Sequence, residues 1–282
     1  MYKIFGSLLI SCSLGFASLV GSNYNQRDLL VLKELDIDAV YITDYKLQRT
    51  YSRFLNKTQS KYIEKLNDAS LFVPKLKEIL REEGVPSSFI YLAMAESYLN
   101  ISARSPVSAA GIWQFMPRTG RTFGLKNDLY VDERMDLVKS TYAATKYLKY
   151  LHGMFGKWYL AAMAYNCGEG RVIEAITRAT IDMYVADNGK NHNRKQISKY
   201  RKIIKDYQKK RVRFSALYKV YKEVKKWKYK PDVNELLTVQ KGLRRQYLPL
   251  ESREYIRKII SLGFMNNREF IASEDNSHLL NI

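Results

Sequence analysis

The run Ile90-Tyr91-Leu92-Ala93-Met94-Ala95 is apolar almost throughout, so it belongs inside whatever the chain folds into, and the next residue is the carboxylate of Glu96. Between its flanks the run reads as a buried helix. A carboxyl at the C-terminal end of such a helix has lost solvent and faces the negative end of the helix dipole; both effects raise its pKa. That is the state a general acid needs at neutral pH. The other reading is that Glu96 marks where the helix reaches solvent, and periodicity alone does not separate the two.

The neighbouring pattern is helical. Leu71 to Glu83 predicts a helix with Leu71, Leu76, Ile79 and Leu80 on one face, stopped by Gly84 and followed by a restart at Pro86-Ser87. So short a connection makes this helix and the Glu96 helix packed neighbours. Met135 to Leu151 is amphipathic, with Leu137, Thr141, Ala144, Leu148 and Leu151 at four-three-four-three spacing. Trp158 to Tyr165 is an apolar helix; Gly168 and Gly170 are expected to break it before Arg171 to Arg178 restarts it. Earlier, Asn23 to Tyr62 is polar and weakly patterned, and reads as a linker followed by a helix around Lys46 to Leu66. No alternating strand run appears, so the expected class is all-α.

Between Asn100 and Pro117 lies a loop, Ser102 to Ala110, and then Gly111-Ile112-Trp113-Gln114-Phe115-Met116. Small residues before Trp113 and Gln114 allow something to approach the backbone closely, either a neighbouring helix or a ligand.

Charge is the strongest statement of the composition. The formal net charge is +19 over 282 residues, which implies an anionic partner: nucleic acid, a membrane surface or an acidic polymer. Lys195 to Lys230 is dense in Lys and Arg with Tyr200, Tyr207, Tyr218, Tyr221, Trp227 and Tyr229 interleaved. Such a stretch can bind single strands by charge and stacking, lie against anionic lipid, or pack its aromatics inward and leave the charges solvated.

Met1-Tyr2-Lys3 followed by the apolar Ile4 to Ala17 reads as a secretory signal. Gly15-Phe16-Ala17 before Ser18 suits a signal peptidase, whereas Leu9-Ile10-Ser11-Cys12 resembles a lipobox that makes Cys12 a lipidated terminus. Simple cleavage within residues 1–22 is the expectation, with lipidation and an uncleaved anchor as alternatives; all three put the folded part outside the cytoplasm. After cleavage Cys167 has no intramolecular partner, so cohesion rests on the core. His152, His192 and His278 show no metal-ligand spacing, and no Gly-rich phosphate loop occurs. No metal and no cofactor are expected.

Several separated stretches fall into one pattern. Ala95-Glu96-Ser97, Ser108 to Pro117 continuing through Thr119-Gly120-Arg121 to Leu125, Asp132 to Asp136, Ala164-Tyr165-Asn166-Cys167-Gly168-Glu169-Gly170-Arg171-Val172, and Leu248 to Ile256 occur in order. Together they resemble the lytic murein transglycosylases, nearest the membrane-bound D type within the soluble lytic transglycosylase catalytic family. The resemblance runs from about Leu71 to Ile176 and resumes near Leu248. It implies a goose-type lysozyme-like helical domain over residues 67–180, completed by 248–282 and interrupted by a basic, aromatic-rich helical insertion over 181–247, with a linker and helix over 23–66.

It also implies that Glu96 is the sole catalytic carboxylate, acid and then base, in a non-hydrolytic cut of the bond between N-acetylmuramic acid and N-acetylglucosamine. A 1,6-anhydro end results. By position, Ser105 is expected to hydrogen-bond an acetamido group, Gln114 and Met116 to shape the sugar groove, Tyr165 to sit beside the acid, Asn166 to hold that motif, and Tyr255 to close over the cleft. The implied partner is the peptidoglycan glycan strand in the periplasm, with membrane association through the N-terminus as an alternative. Nucleic acid is not expected, and no residue identifies a regulatory protein. The insertion lies outside the resemblance; because peptide stems of the wall carry free carboxylates, its charge suits docking there.

Competing readings are a hydrolytic muramidase of the same fold, with Asp132, Glu133 or Asp136 as second carboxylate, and a non-enzymatic wall-binding protein that retains the groove. A cytoplasmic nucleic-acid binder requires that the first residues not be a signal.

Overall fold

The computed structural model describes residues 24–277, with side chains through Asn267. The segment read as a signal or anchor, Cys12 with it, and His278 lie outside the described residues. Among the described residues the chain forms twelve α-helices and no β-ladder. No helix among them is long and apolar enough to cross a membrane.

The polar stretch read as a linker begins instead with α1 (Gln26–Glu34), which opens on a reciprocal capping box between Asn25 and Asp28. A 3-10 turn leads to Asp44, whose side chain caps α2 (Tyr45–Asp68). Both helices carry a narrow apolar stripe within a polar sequence, and those stripes are inside: Leu32, Leu35, Leu47, Tyr51 and Tyr62 are all buried. What covers them is the last helix, α12 (Leu250–Ser277), which packs on α1 and α2. Tyr62 Oη donates to Leu262 O across that seam at 3.0 Å.

α3 spans Val73–Glu82, two residues shorter at the start than its pattern suggests, because Pro74 sits in the first turn. Leu71 falls before the helix and is almost fully exposed, so it does not share the face of Leu76, Ile79 and Leu80. Gly84 takes φ +69°, the turn that ends the helix. α4 (Ile90–Ser97) follows a short 3-10 turn, and every residue from Ile90 to Ala95 is buried.

α5 (Pro117–Thr122) precedes α6 (Leu137–Phe155), which starts on the Asp136 cap and stops at Gly156 in the left-handed region. α7 (Trp158–Cys167) ends at Gly168, φ +82°. The chain re-enters a helix one residue later as α8 (Glu169–Asn188), so Gly170 is not a break but part of the first turn. Tyr207 packs directly on it: a Cβ there would lie 2.3 Å from Tyr207 Oη.

Tyr207 belongs to the basic stretch, which folds as α9 (Arg194–Gln208) and α10 (Phe214–Val224), followed by α11 (Val233–Leu237). The stripes Ile197, Tyr200, Ile204 and Leu217, Val220, Tyr221, Val224 are buried, and α9 and α10 pack on α8 and on each other. Trp227 lies 4.6 Å from the Tyr184 ring, centroid to centroid. The tyrosines of this stretch and Trp227 are therefore buried or half-buried and the charges stay in water, the third of the dispositions that the sequence leaves open.

Candidate active site

Glu96 stands in the last turn of α4, half-buried, where an apolar helix has just run out of interior. Tyr98 and Leu99 follow at φ +53° and +59°, turning the chain sharply away. Two residues with left-handed backbone in succession are costly outside glycine, and they end the buried helix one residue after Glu96. From α12, Tyr255 Oη donates to Glu96 Oε1 at 2.5 Å. One turn further on, Lys258 Nζ donates to the carbonyl of Ala95 at 2.6 Å and lies 5.6 Å from the centre of the Tyr98 ring.

Burial raises the pKa of Glu96; the Tyr255 hydrogen bond and the Lys258 charge oppose that without cancelling it. Burial likewise lowers the pKa of Lys258, against the pull of Glu96, and raises that of Tyr255 well above its ordinary range. With Oε1 occupied as an acceptor, Oε2 is the oxygen left to carry a proton.

The loop from Ala103 to Met116 is built against the acid by backbone geometry. Gly111 takes φ +77°, and a Cβ on it would lie 1.8 Å from the carbonyl oxygen of Arg134. The close approach suggested by the small residues is thus made by the Arg134 main chain. The Arg134 side chain, 3% exposed, donates through Nη1 to Ser108 O at 2.6 Å and Phe115 O at 2.9 Å. Its Nε and Nη2 each lie 2.8 Å from the Asp132 carboxylate. Trp113 is fully buried and donates to Thr141 Oγ1 of α6 at 2.9 Å. Ser97 Oγ lies 2.9 Å from Ile112 O, tying the end of α4 to the same loop.

On this frame Ser105 Oγ accepts from the Ala109 amide at 2.9 Å, which leaves its own O–H to donate. Gln114, at φ +49°, turns its side-chain amide back onto Gly111 O at 2.8 Å. Met116 is 43% exposed at the loop's edge. From α7, Tyr165 Oη donates to Trp113 O at 2.6 Å, and its ring packs 5.1 Å from that of Tyr147. Burial raises the Tyr165 hydroxyl pKa well above its ordinary range, with the Glu96 charge adding to the effect. Asn166 is exposed, directly after it.

Of the residues singled out by sequence, Tyr255 touches Glu96, Tyr165 lies within its electrostatic reach, and Ser105 and Gln114 share a loop latched to Tyr165 through Trp113. Met116 and Asn166 lie at the surface and make no hydrogen bond to this group. Two residues were missed. Lys258 has a signal in its spacing, one helical turn after Tyr255; Arg134 lies inside a recognised stretch, yet nothing in the sequence says that its guanidinium ties down the loop.

The three carboxylates held open as a second catalytic group are engaged elsewhere. Asp132 is taken by Arg134. Glu133 accepts from the Lys126 amide at 2.8 Å and from Lys139 Nζ at 2.6 Å. Asp136 caps α6 through the Lys139 amide at 2.8 Å. Hydrogen bonds from Arg134 and from Lys139 hold the pKa values of Asp132 and Glu133 low, the opposite of what a resting acid requires. Cys167 is half-buried, and burial pushes its thiol pKa up, as for a packing residue. Among the described residues no group of His, Cys, Asp and Glu is arranged to hold a metal ion.

Residues 75–183 match the transglycosylase SLT domain, whose fold is all-α and lysozyme-like. Glu96, Ser105, Gln114, Met116, Tyr165 and Asn166 fall inside the match; Tyr255 and Lys258 fall beyond it. Over 98 residues the chain is 44% identical to the membrane-bound lytic murein transglycosylase D of Escherichia coli (strain K12), a stretch that covers 34% of this chain and 22% of that protein. Over 99 residues it is 37% identical to a protein of Alteromonas sp. (strain M-1) named for tributyltin chloride resistance, covering 35% of this chain and 48% of the relative. The match thus spans under half the length of either relative.

Proposed function

We propose that this protein is a peptidoglycan lytic transglycosylase acting in the periplasm, with Glu96 as its one catalytic carboxylate. The observation that carries the reading is a carboxyl at the end of a buried helix, its pKa raised by burial, and held through one oxygen by Tyr255. The proton on Oε2 passes to the glycosidic oxygen between N-acetylmuramic acid and N-acetylglucosamine as the bond from C1 breaks. The muramic acetamido group steadies the cationic C1. Glu96, now a carboxylate, takes the proton from that sugar's C6 hydroxyl as O6 bonds to C1, and the acid is restored with a 1,6-anhydro ring as product. No water is consumed, so no second carboxylate is needed to activate one. Lys258 and Tyr255 stabilise the carboxylate during the interval in which Glu96 has given up its proton.

In this reading the Ser105 hydroxyl binds an acetamido group, Gln114 and Met116 shape the groove, Tyr165 sits beside the acid with Asn166 holding that motif, and Tyr255 closes over the cleft. Residues 67–180 and 248–282 form the catalytic unit around an insertion over 181–247. The hydrolytic alternative is disfavoured by the structural engagement of Asp132, Glu133 and Asp136.

The test is to incubate the protein lacking residues 1–22, and its Glu96→Gln variant, with purified sacculi and weigh the released muropeptides. Anhydro-ended products from the parent and none from the variant are expected. Reducing ends would indicate a hydrolase; equal products from both proteins would remove Glu96 from the mechanism.

A further inference from the structure

Residues 189–230 carry seventeen lysines and arginines against two acids, Asp206 and Glu223, so this segment holds +15 of the chain's +19. All seventeen are exposed. Among them only Arg201, Lys226 and Lys228 pair with a carboxylate, those of Asp182, Glu223 and Asp187. So many like charges on two short helices repel one another, and the fold tolerates this only because the apolar stripes of α9 and α10 are anchored on α8. From the charge and its placement we infer that the outward face of α9 and α10 docks the carboxylate-bearing peptide stems of the wall polymer. The inference rests on the proposed function for the identity of that polymer.

Two observations select this partner over an anionic bilayer. A helix that lies in a lipid interface needs an apolar face to bury there. Here that face is already spent on the protein core, and Phe214, 36% exposed, is the one large hydrophobic side chain of the segment left at the surface. The second observation is position. The insertion meets the rest of the protein at Gly170, against which Tyr207 and Phe214 pack, and Gln208 Nε2 donates to Glu174 Oε1 at 2.6 Å. Gly170 is four residues beyond Asn166, so the basic face is rooted at the edge of the candidate site. A strand lying in the groove carries its stems past this face. Cations without partners, held at the rim of a site, speed capture and hold an anionic partner in a salt-dependent way.

The experiment measures binding of the Glu96→Gln protein by co-sedimentation with intact sacculi, with sacculi stripped of their stems by an amidase, and with phosphatidylglycerol vesicles. It is repeated after combining Lys195→Glu, Lys202→Glu, Lys209→Glu and Lys219→Glu, and again with arginine at the same four positions. The expected result is about tenfold tighter binding to intact than to stripped sacculi at low salt. The four glutamates should abolish that preference and the four arginines retain it, with thermal unfolding unchanged in both. Equal binding to intact and stripped sacculi, indifference to the four glutamates, or a preference for vesicles over sacculi would overturn the inference. Cleavage of a short soluble muropeptide, measured with Glu96 in place, is expected to be the same with and without the four glutamates. Loss of that cleavage in the parent protein would sink the proposed reaction and leave the binding result to decide docking alone.

Discussion

Tyr255 and Glu96 are 159 residues apart in the chain, yet the tyrosine hydroxyl lies 2.5 Å from the carboxyl oxygen Oε1. The contact joins α12 to the end of α4 and fixes which carboxyl oxygen remains free. Phenylalanine at 255 keeps the ring and removes the donor. Because that donor favours the carboxylate, its loss raises the pKa of Glu96 further, so the alkaline limb of the pH–rate profile should move to higher pH. The looser carboxyl should also lower kcat about ten- to a hundredfold, since orientation is lost. A pH–rate series on muropeptide release checks both effects.

Lys258 acts on the same group from one turn away. Methionine there removes a positive charge that favours the carboxylate, so Glu96 should hold its proton to higher pH and the alkaline limb should again shift upward. Lys258→Arg keeps the charge and should restore the parental limb, which separates electrostatics from packing. An unmoved limb in Lys258→Met would show that the ammonium serves only to anchor Ala95 O.

Arg134 links three carbonyl and carboxylate partners of the loop that presents Ser105 and Gln114. Arg134→Met takes the guanidinium from Asp132 and the donor from the buried Phe115 carbonyl and the part-buried Ser108 carbonyl, and should cost about 3 kcal/mol, read from the urea midpoint. Gly111→Ala should cost a similar amount, about 3 kcal/mol, by forcing a Cβ into the Arg134 carbonyl at positive φ. The Asp132 pKa is depressed in the folded protein, so its contribution is present above the unfolded value near 4 and is lost as pH falls through the lower folded value. Removing Arg134 should therefore flatten the acid side of the stability curve.

Much of this architecture is legible in the sequence where one element carries its own signal. α4, α6 and α7 declare themselves by apolar runs or four-three spacing, although α6 runs to Phe155, one turn beyond the Leu151 at which its pattern stops. What is hidden depends on a distant partner. The stripes of α1 and α2 are too narrow to stand out in a polar sequence, and they acquire meaning only when α12 covers them some 200 residues later. Leu71 looks like a core residue until Pro74 starts the helix beyond it. Gly170 looks like a helix break until Tyr207 is seen packed against it. Within the site, Glu96 and its neighbours follow from the pattern of motifs. Arg134 and Lys258 do not, because a lone cation in sequence says nothing about which carbonyls it will meet.

In the proposed reaction Glu96 cuts the glycan without water. Digesting sacculi with the parent protein in oxygen-18 water and weighing the released ends tests it most directly. Ends lighter than a hydrolysis product by one water and free of the label are expected. Labelled reducing ends, lost in Glu96→Gln, would contradict it and point to a water-activating second carboxylate.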